Sequence, residues 1–317
     1  MRSKVLITGG TGFLGRKLGI ALKDHHDVIL TGRNNKQSFL AGKSTGCQTI
    51  PMDVMHIESV RDVFAETKPD IVIHAAATKF VDLSEKQPME CIDINVVGSQ
   101  NVVRVAIDKG VDTVIGVSTD KAAPPVRNIY GLSKSVMERV FCSMDGKTKT
   151  RFMCVRYGNV AWSTGSVLPI WKKMHQETKL IQSTGPDMTR FFFTVEEAVK
   201  LVMTAMNHID DLHGKILSRS MKAAKMRDIL ETWIGEKGGK WEAITGRPGD
   251  RLYECLIGEP ELPYTTQVNY DGIPHYVISF DKLVKQPLEQ IFSSDNAEKL
   301  TREEISRMIN PISTEDF

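Results

Sequence analysis

The chain of 317 residues carries 41 basic against 39 acidic side chains, a net charge of +2, with 41% hydrophobic residues. That balance excludes a molecule-wide field for nucleic acid or an anionic membrane and leaves local basic residues in a pocket to bind a small anion. The length allows one large or two modest domains with a substantial core.

No apolar run approaches the roughly 20 residues that cross a bilayer, and the N-terminus enters a strand at once, without a signal-peptide pattern. The five cysteines (Cys47, Cys91, Cys142, Cys154, Cys255) are scattered and form no CxxC pair, which reads as reduced thiols in the cytoplasm. The eight histidines show no metal-ligand spacing, so no metal is expected and His74 is read as packing beside the sheet.

In chain order, Lys4-Val5-Leu6-Ile7-Thr8 reads as a strand and Gly12 to Lys23 as a helix, followed by a strand at Asp27–Thr31. Asp70–His74 and Thr113–Val117 are continuous and β-branched rather than alternating, the pattern of strands buried on both faces. Helical stretches fall near Glu58–Glu66, Met89–Lys109 and Ile129–Met144, and Arg151–Arg156 looks like a later strand. Such alternation predicts an α/β fold, a doubly wound parallel sheet of the Rossmann type. Residues 1–160 form the dinucleotide-binding domain in this reading, with a helical return near 190–206. Segments 161–189 and 207–317, richer in Gly, Pro and polar turns, make a smaller substrate-binding lobe.

Thr8-Gly9-Gly10-Thr11-Gly12-Phe13-Leu14-Gly15 follows the first strand and opens the first helix. Its glycines allow a tight turn and close approach to a pyrophosphate, which the helix N-terminus then attracts. An NAD site usually places a carboxylate after the second strand. Here stand Arg33 and, three residues on, Lys36; a guanidinium can take the 2′-phosphate of NADP bidentately. Asp53, after the third strand pattern, is a candidate acceptor for the adenine amine.

Tyr130 and Lys134 share one face of a predicted helix. A free phenol, with pKa about 10, is a poor base at neutrality. An ammonium within about 4 Å contributes roughly 4 kcal/mol at a moderate effective dielectric, on the order of three pKa units before desolvation is subtracted. Thr119 lies upstream, and with the glycine loop the set resembles the extended short-chain dehydrogenase/reductases.

The resemblance narrows further. His74-Ala75-Ala76-Ala77-Thr78-Lys79, Ser118-Thr119-Asp120-Lys121, Arg156-Tyr157-Gly158-Asn159, Gly165-Ser166-Val167-Leu168-Pro169, Met188-Thr189-Arg190-Phe191 and Arg247-Pro248-Gly249-Asp250 follow one another in family order. They resemble the UDP-N-acetylglucosamine 4,6-dehydratases, especially the soluble inverting branch that begins pseudaminic acid synthesis. The stretch Ala123–Ile129 before the tyrosine is one residue longer than that family's pattern.

From this resemblance follow the expected roles. Tyr130 takes the proton of the sugar C4 hydroxyl while hydride leaves C4 for NADP, Thr119 bonds the same oxygen, and Lys134 lowers the tyrosine pKa. Lys121 is the base at C5, and Asp120, protonated, helps the C6 hydroxyl depart. Gly9, Thr11, Gly12, Phe13, Leu14, Gly15, Arg33, Lys36, Asp53, Val54, Ala75, Ala76 and Ala77 make up the dinucleotide set, with Tyr130 and Lys134. Lys79, Asn159, Ser166, Val167, Arg190, Arg247 and Glu254 are the candidates for the UDP-sugar. The family implies dimers or hexamers. On the same scaffold a 5,6-ene-forming dehydratase, a 5,6-ene reductase, a C4 epimerase and a non-catalytic NADP-sensing regulator stay open as alternatives.

Overall fold

The computed structural model describes residues 2–246 and 249–311. Its main sheet is built from β1 (Lys4–Thr8), β2 (Asp27–Gly32), β3 (Gln48–Pro51), β4 (Ile71–His74), β5 (Thr113–Val117), β6 (Arg151–Val155), β7 (Ile216–Arg219), β8 (Thr265–Tyr270) and β9 (Ile273–Ile278). These nine strands lie in the order β8-β9-β7-β6-β5-β4-β1-β2-β3. Every pairing from β7 through to β3 is parallel, whereas β9 runs antiparallel to both β7 and β8. The order reverses between β1 and β4, and a doubly wound sheet opens a crevice for ligands at such a switch point.

Successive side chains of each strand enter opposite layers. Val5, Ile7, Val28, Leu30, Ile73, Ile115 and Met153 pack with helices α1 (Phe13–Leu22) and α2 (Asn35–Thr45) and with a helix formed by Val195–Asn207. Leu6, Ile29, Val72, Val114 and Phe152 pack on the other face against α3 (Ile57–Thr67), α4 (Gly98–Lys109) and α5 (Ile129–Met144). The helical stretch expected over 89–109 is present but divided. Pro88–Ile92 and α4 flank a π-helical turn at Asp93–Val97.

Val167–Thr178, Val195–Asn207 and Met226–Lys237 are α6, α7 and α8, and Arg302–Ile309 is α9, the last helix among the described residues. A separate core of Trp162, Trp171, Ile181, Phe192, Met226, Leu230, Trp233, Ile305 and Ile309 holds the smaller lobe together. Around it lie the short strands Asn159–Val160, Thr189–Phe193 and Ala223–Lys225.

One boundary is corrected. The sequence assigns all of 207–317 to the lobe, yet β7, β8 and β9 extend the main sheet. Ile216 and Ile278 fill one layer and Leu217 and Val277 the other, so β7 and β9 bury both faces although lobe segments interrupt them in sequence.

Candidate active site

A cavity of about 690 Å³ runs along the C-terminal ends of β1 to β5. It begins at the glycine loop, where Gly9 takes φ +65° and passes so close to β4 that a Cβ would lie 2.8 Å from the backbone of Ala76. Gly12 caps α1 with no side-chain bond, and the first turn holds no acidic residue. The exposed N–H groups of that turn therefore favour an anion. Gly9, Thr11, Gly12, Phe13, Leu14, Gly15, Arg33, Asp53, Val54, Ala75, Ala76 and Ala77 all line the cavity. Lys36 does not: it sits in the first turn of α2, exposed to solvent and off the cavity wall. Asp53 also turns inward locally, its Oδ1 accepting from the Met55 N–H at 3.0 Å.

Beneath the cavity floor a directed hydrogen-bond run ties the central strands together. The Ala76 N–H donates to Thr8 Oγ1 (3.2 Å), and Thr8 Oγ1 lies 2.8 Å from His74 Nδ1. On the far side His74 Nε2 meets Ser99 Oγ at 3.0 Å, and the Ser99 hydroxyl donates to Asn95 O at 2.5 Å. With that hydroxyl committed, Nε2 must carry the ring proton and Nδ1 must accept, which fixes a neutral tautomer. Burial, and then the Lys134 ammonium, lower the His74 pKa to about 3.

Asn95, which the sequence reading passed over, is a positioning residue. The π turn brings its side chain inside, where Oδ1 accepts from Thr78 N (2.9 Å) and Nδ2 donates to Thr78 O (3.0 Å) and Ser133 Oγ (2.9 Å). The Ser133 hydroxyl in turn donates to Tyr130 O at 2.7 Å. One amide thus sets both the Ala77-Thr78-Lys79 loop and the first turn of α5. Such π turns often mark functional sites.

Asn128 caps α5 by accepting from the Gly131 N–H at 2.7 Å. Gly131 lets the helix press on the loop after β5, because a Cβ there would lie 2.2 Å from Lys121 O. Tyr130 and Lys134, both buried, face the cavity together with Ser118, Thr119 and Lys121. Desolvation pushes the Tyr130 phenol up to about 12, opposed first by the Lys121 ammonium and then by a hydrogen bond with Thr119. The Lys121 ammonium is thus a second cation, besides the expected Lys134, that bears on the phenol. Lys134 Nζ turns aside to Met137 Sδ at 3.0 Å, and its burial lowers its pKa to about 8.

Asp120 is fully buried behind the cavity. Its Oδ1 accepts from Thr119 Oγ1 (3.0 Å) and Lys121 Nζ (2.9 Å), while Oδ2 has no hydrogen-bond partner and lies beside cavity-lining Gly158. Lys121 Nζ also donates to Asn159 Oδ1 at 3.2 Å. Burial works against its charge, but Asp120 and Glu254 outweigh that and hold its pKa above the usual lysine value.

The substrate candidates divide. Lys79, Asn159 and Ser166 line the cavity, and Ser166 Oγ is buried without a hydrogen-bond partner at the N-cap of α6. Val167, Arg190 and Glu254 do not reach the wall. Arg190 is buried and donates to the carbonyl of Thr189 (2.8 Å), while Glu254 sits behind Lys121, 4.0 Å from its Nζ. Arg247 lies outside the described residues.

The family model described as polysaccharide biosynthesis protein matches residues 5–273. A UDP-N-acetylglucosamine 4,6-dehydratase (inverting) of Campylobacter jejuni is 33% identical, the alignment covering 88% of this chain and 83% of that protein. A UDP-glucose 4-epimerase of Rickettsia bellii is 31% identical over 96% of this chain and 94% of its own. Among solved structures, Pen from Bacillus thuringiensis superposes with a TM-score of 0.89 at 29% identity, covering 98% of this chain and 97% of that one.

Proposed function

The chain belongs to the polysaccharide biosynthesis protein family, within the extended short-chain dehydrogenase/reductases, and on that premise we propose that it is an NADP-dependent UDP-N-acetylglucosamine 4,6-dehydratase. Its product in this reading is a UDP-4-keto-6-deoxy-N-acetylhexosamine inverted at C5. The buried Asp120–Lys121 pair beside Tyr130 carries the proposal. Moving a hydride on and off C4 needs a phenol; elimination across C5 and C6 needs a second acid and base as well.

The cavity fits a dinucleotide: an anion-binding helix start, a glycine that passes close to β4, and Arg33 where NAD sites usually place a carboxylate. When bound, that cofactor accepts a hydride from sugar C4 and returns one to C6. Tyr130 takes the O4 proton, with Thr119 bonding the same oxygen. Lys121 and Lys134 are the cations in the cavity wall next to it.

The resting pair is an ammonium and a carboxylate sharing one hydrogen bond of 2.9 Å. Passing that proton from Nζ to Oδ1 leaves a neutral amine and a carboxylic acid; burial lowers the cost of the transfer, while Asp120 and Glu254 keep the ion pair as the resting form. The amine takes the C5 proton, made acidic by the C4 ketone, and the acid protonates the departing C6 hydroxyl. Lys121 then holds a proton and Asp120 has lost one, so the ion pair is restored. Hydride return to C6 is matched by a proton taken up at C5 from the face opposite Lys121, which inverts that centre, and the proton held by Tyr130 is released. For the UDP half, Asn159, the unbonded Ser166 hydroxyl and the start of α6 offer donors to a diphosphate. A homo-oligomeric, cytoplasmic enzyme of pseudaminic acid synthesis completes the reading, inferred from the sequence resemblance.

The test is product identification from UDP-N-acetylglucosamine, without added NADPH, by mass spectrometry and proton NMR. Loss of one water with a C4 ketone and a C6 methyl supports dehydration. The epimerase relative favours a second reading; unchanged mass with inverted C4 would establish that one instead.

A further inference from the structure

Glu254 is buried to 3% exposure immediately before the strand Cys255–Ile257 and does not line the cavity. Its backbone is pinned by a single serine: the Glu254 N–H donates to Ser294 Oγ (3.0 Å), and the Ser294 N–H donates to Glu254 O (2.8 Å). Ser294 Oγ also lies 2.9 Å from Thr189 Oγ1, so the same residue registers the neighbouring strand that carries Arg190.

The carboxylate is thereby fixed in a ring of charge. Oε1 lies 4.0 Å from Lys121 Nζ and 3.9 Å from Arg190 Nε, and Oε2 lies 3.8 Å from an Arg251 terminal nitrogen. Oε2 makes no hydrogen bond. Lys121 is faced by Asp120 in its own loop, Asn159 at the edge of the lobe, Tyr130 on α5, Arg190 on the Thr189–Phe193 strand, and Glu254.

We propose that Glu254 is a positioning residue for Lys121, holding its ammonium from behind the cavity and so setting the pH range over which Asp120 and Lys121 keep their one shared proton. This rests on the dehydratase reading above. Two carboxylates share one ammonium, and two arginines limit how strongly Glu254 can pull. Asp120 alone could take the proton across the 2.9 Å bond, but it could not keep that proton in the pair at alkaline pH so well as two carboxylates can. The electrostatic balance agrees: Glu254 raises the lysine, whereas Arg190 lowers it.

The experiment is the pH dependence of kcat for dehydration of UDP-N-acetylglucosamine by the intact chain, comparing wild type with Glu254→Gln. Removing a negative charge about 4 Å from the ammonium should move the alkaline fall in kcat down by about one pH unit or more. KM at neutral pH should stay within about twofold, since Glu254 is off the cavity wall. Glu254→Asp, the milder change if the glutamine variant does not fold, draws the carboxylate back and should fall between the two. Superimposable alkaline limbs for wild type and both variants overturn the proposal, as does a raised KM with an unmoved limb. A wild type that forms no dehydrated product overturns the dehydratase reading instead.

Discussion

Arg156 is the most heavily bonded buried charge in the described residues, and replacing it by methionine gives a calculable result. Its guanidinium makes two bonds to Glu138 (2.9 and 2.7 Å), two to Glu261 (2.9 and 2.8 Å) and one to Leu256 O (3.0 Å), with Arg156 and Glu138 each 1% exposed. Glu138 lies on α5, one turn beyond Lys134, and Glu261 lies in the helical turn Glu259–Tyr264 that leads into β8. The cluster therefore clamps the helix of Tyr130 against the strand ends. Arg156→Met strands two carboxylates facing each other without a cation. Protonating a carboxyl group of ordinary pKa near 4.3 at pH 7 costs about 3.7 kcal/mol, within the roughly 3–5 kcal/mol typical of a broken buried ion pair. In the variant the folded state keeps that proton and the unfolded state releases it. Its stability therefore falls as pH rises, by about 1.4 kcal/mol per unit. Urea unfolding should show a deficit of about 4 kcal/mol at pH 7.5, shrinking by about 2–3 kcal/mol at pH 5.5. A loss below about 1 kcal/mol at pH 7.5, or one that ignores pH, would refute the reasoning.

Lys121→Met should slow C4 oxidation, seen as reduced-cofactor absorbance in a single turnover, because the ammonium that opposes the rise of the Tyr130 phenol is gone, and it should abolish deuterium uptake at C5 from heavy water even in the oxidised sugar. Continued uptake would remove Lys121 from its role. Arg33→Gln should weaken NADP binding about tenfold or more while leaving NAD within about twofold; isothermal titration calorimetry decides, and equal losses would place Arg33 away from the 2′-phosphate. Gly131→Ala puts a methyl 2.2 Å from Lys121 O and should lower kcat at least about tenfold, because small displacements of reacting groups are costly. An unchanged kcat in a folded variant would mean that the helix and loop can part without consequence.

The parts of the fold written in single buried segments were legible. Lys4–Thr8 and Thr113–Val117 are strands over the residues read from the sequence, and α5 spans Ile129–Met144 as its periodicity implies. Such segments carry their whole environment in their own apolar pattern. The hairpin β8–β9 does not, since its partner β7 lies across intervening lobe elements. In the site, sequence order placed Thr119, Asp120 and Lys121 together, but only packing decides which ammonium faces the phenol. Lys134 was the natural choice from helix spacing, yet its side chain runs to Met137, and the ammonium of Lys121 opposes the rise of the phenol. Arg190 and Glu254 bear charges that read as ligand contacts; in the fold they lie 3.9 Å from each other, off the cavity wall. Asn95 gave no sign, because an asparagine in a helical stretch ordinarily faces water; the π turn reverses it.

The imidazole beneath the cavity has a consequence for the whole molecule. With His74 uncharged down to about pH 3, the histidine at the end of β4 contributes no titration between mild acid and neutrality. The joint between the two halves of the sheet consequently keeps one electrical state and one sense of proton donation through that span. Acidification that alters turnover over that span therefore acts through groups other than this imidazole.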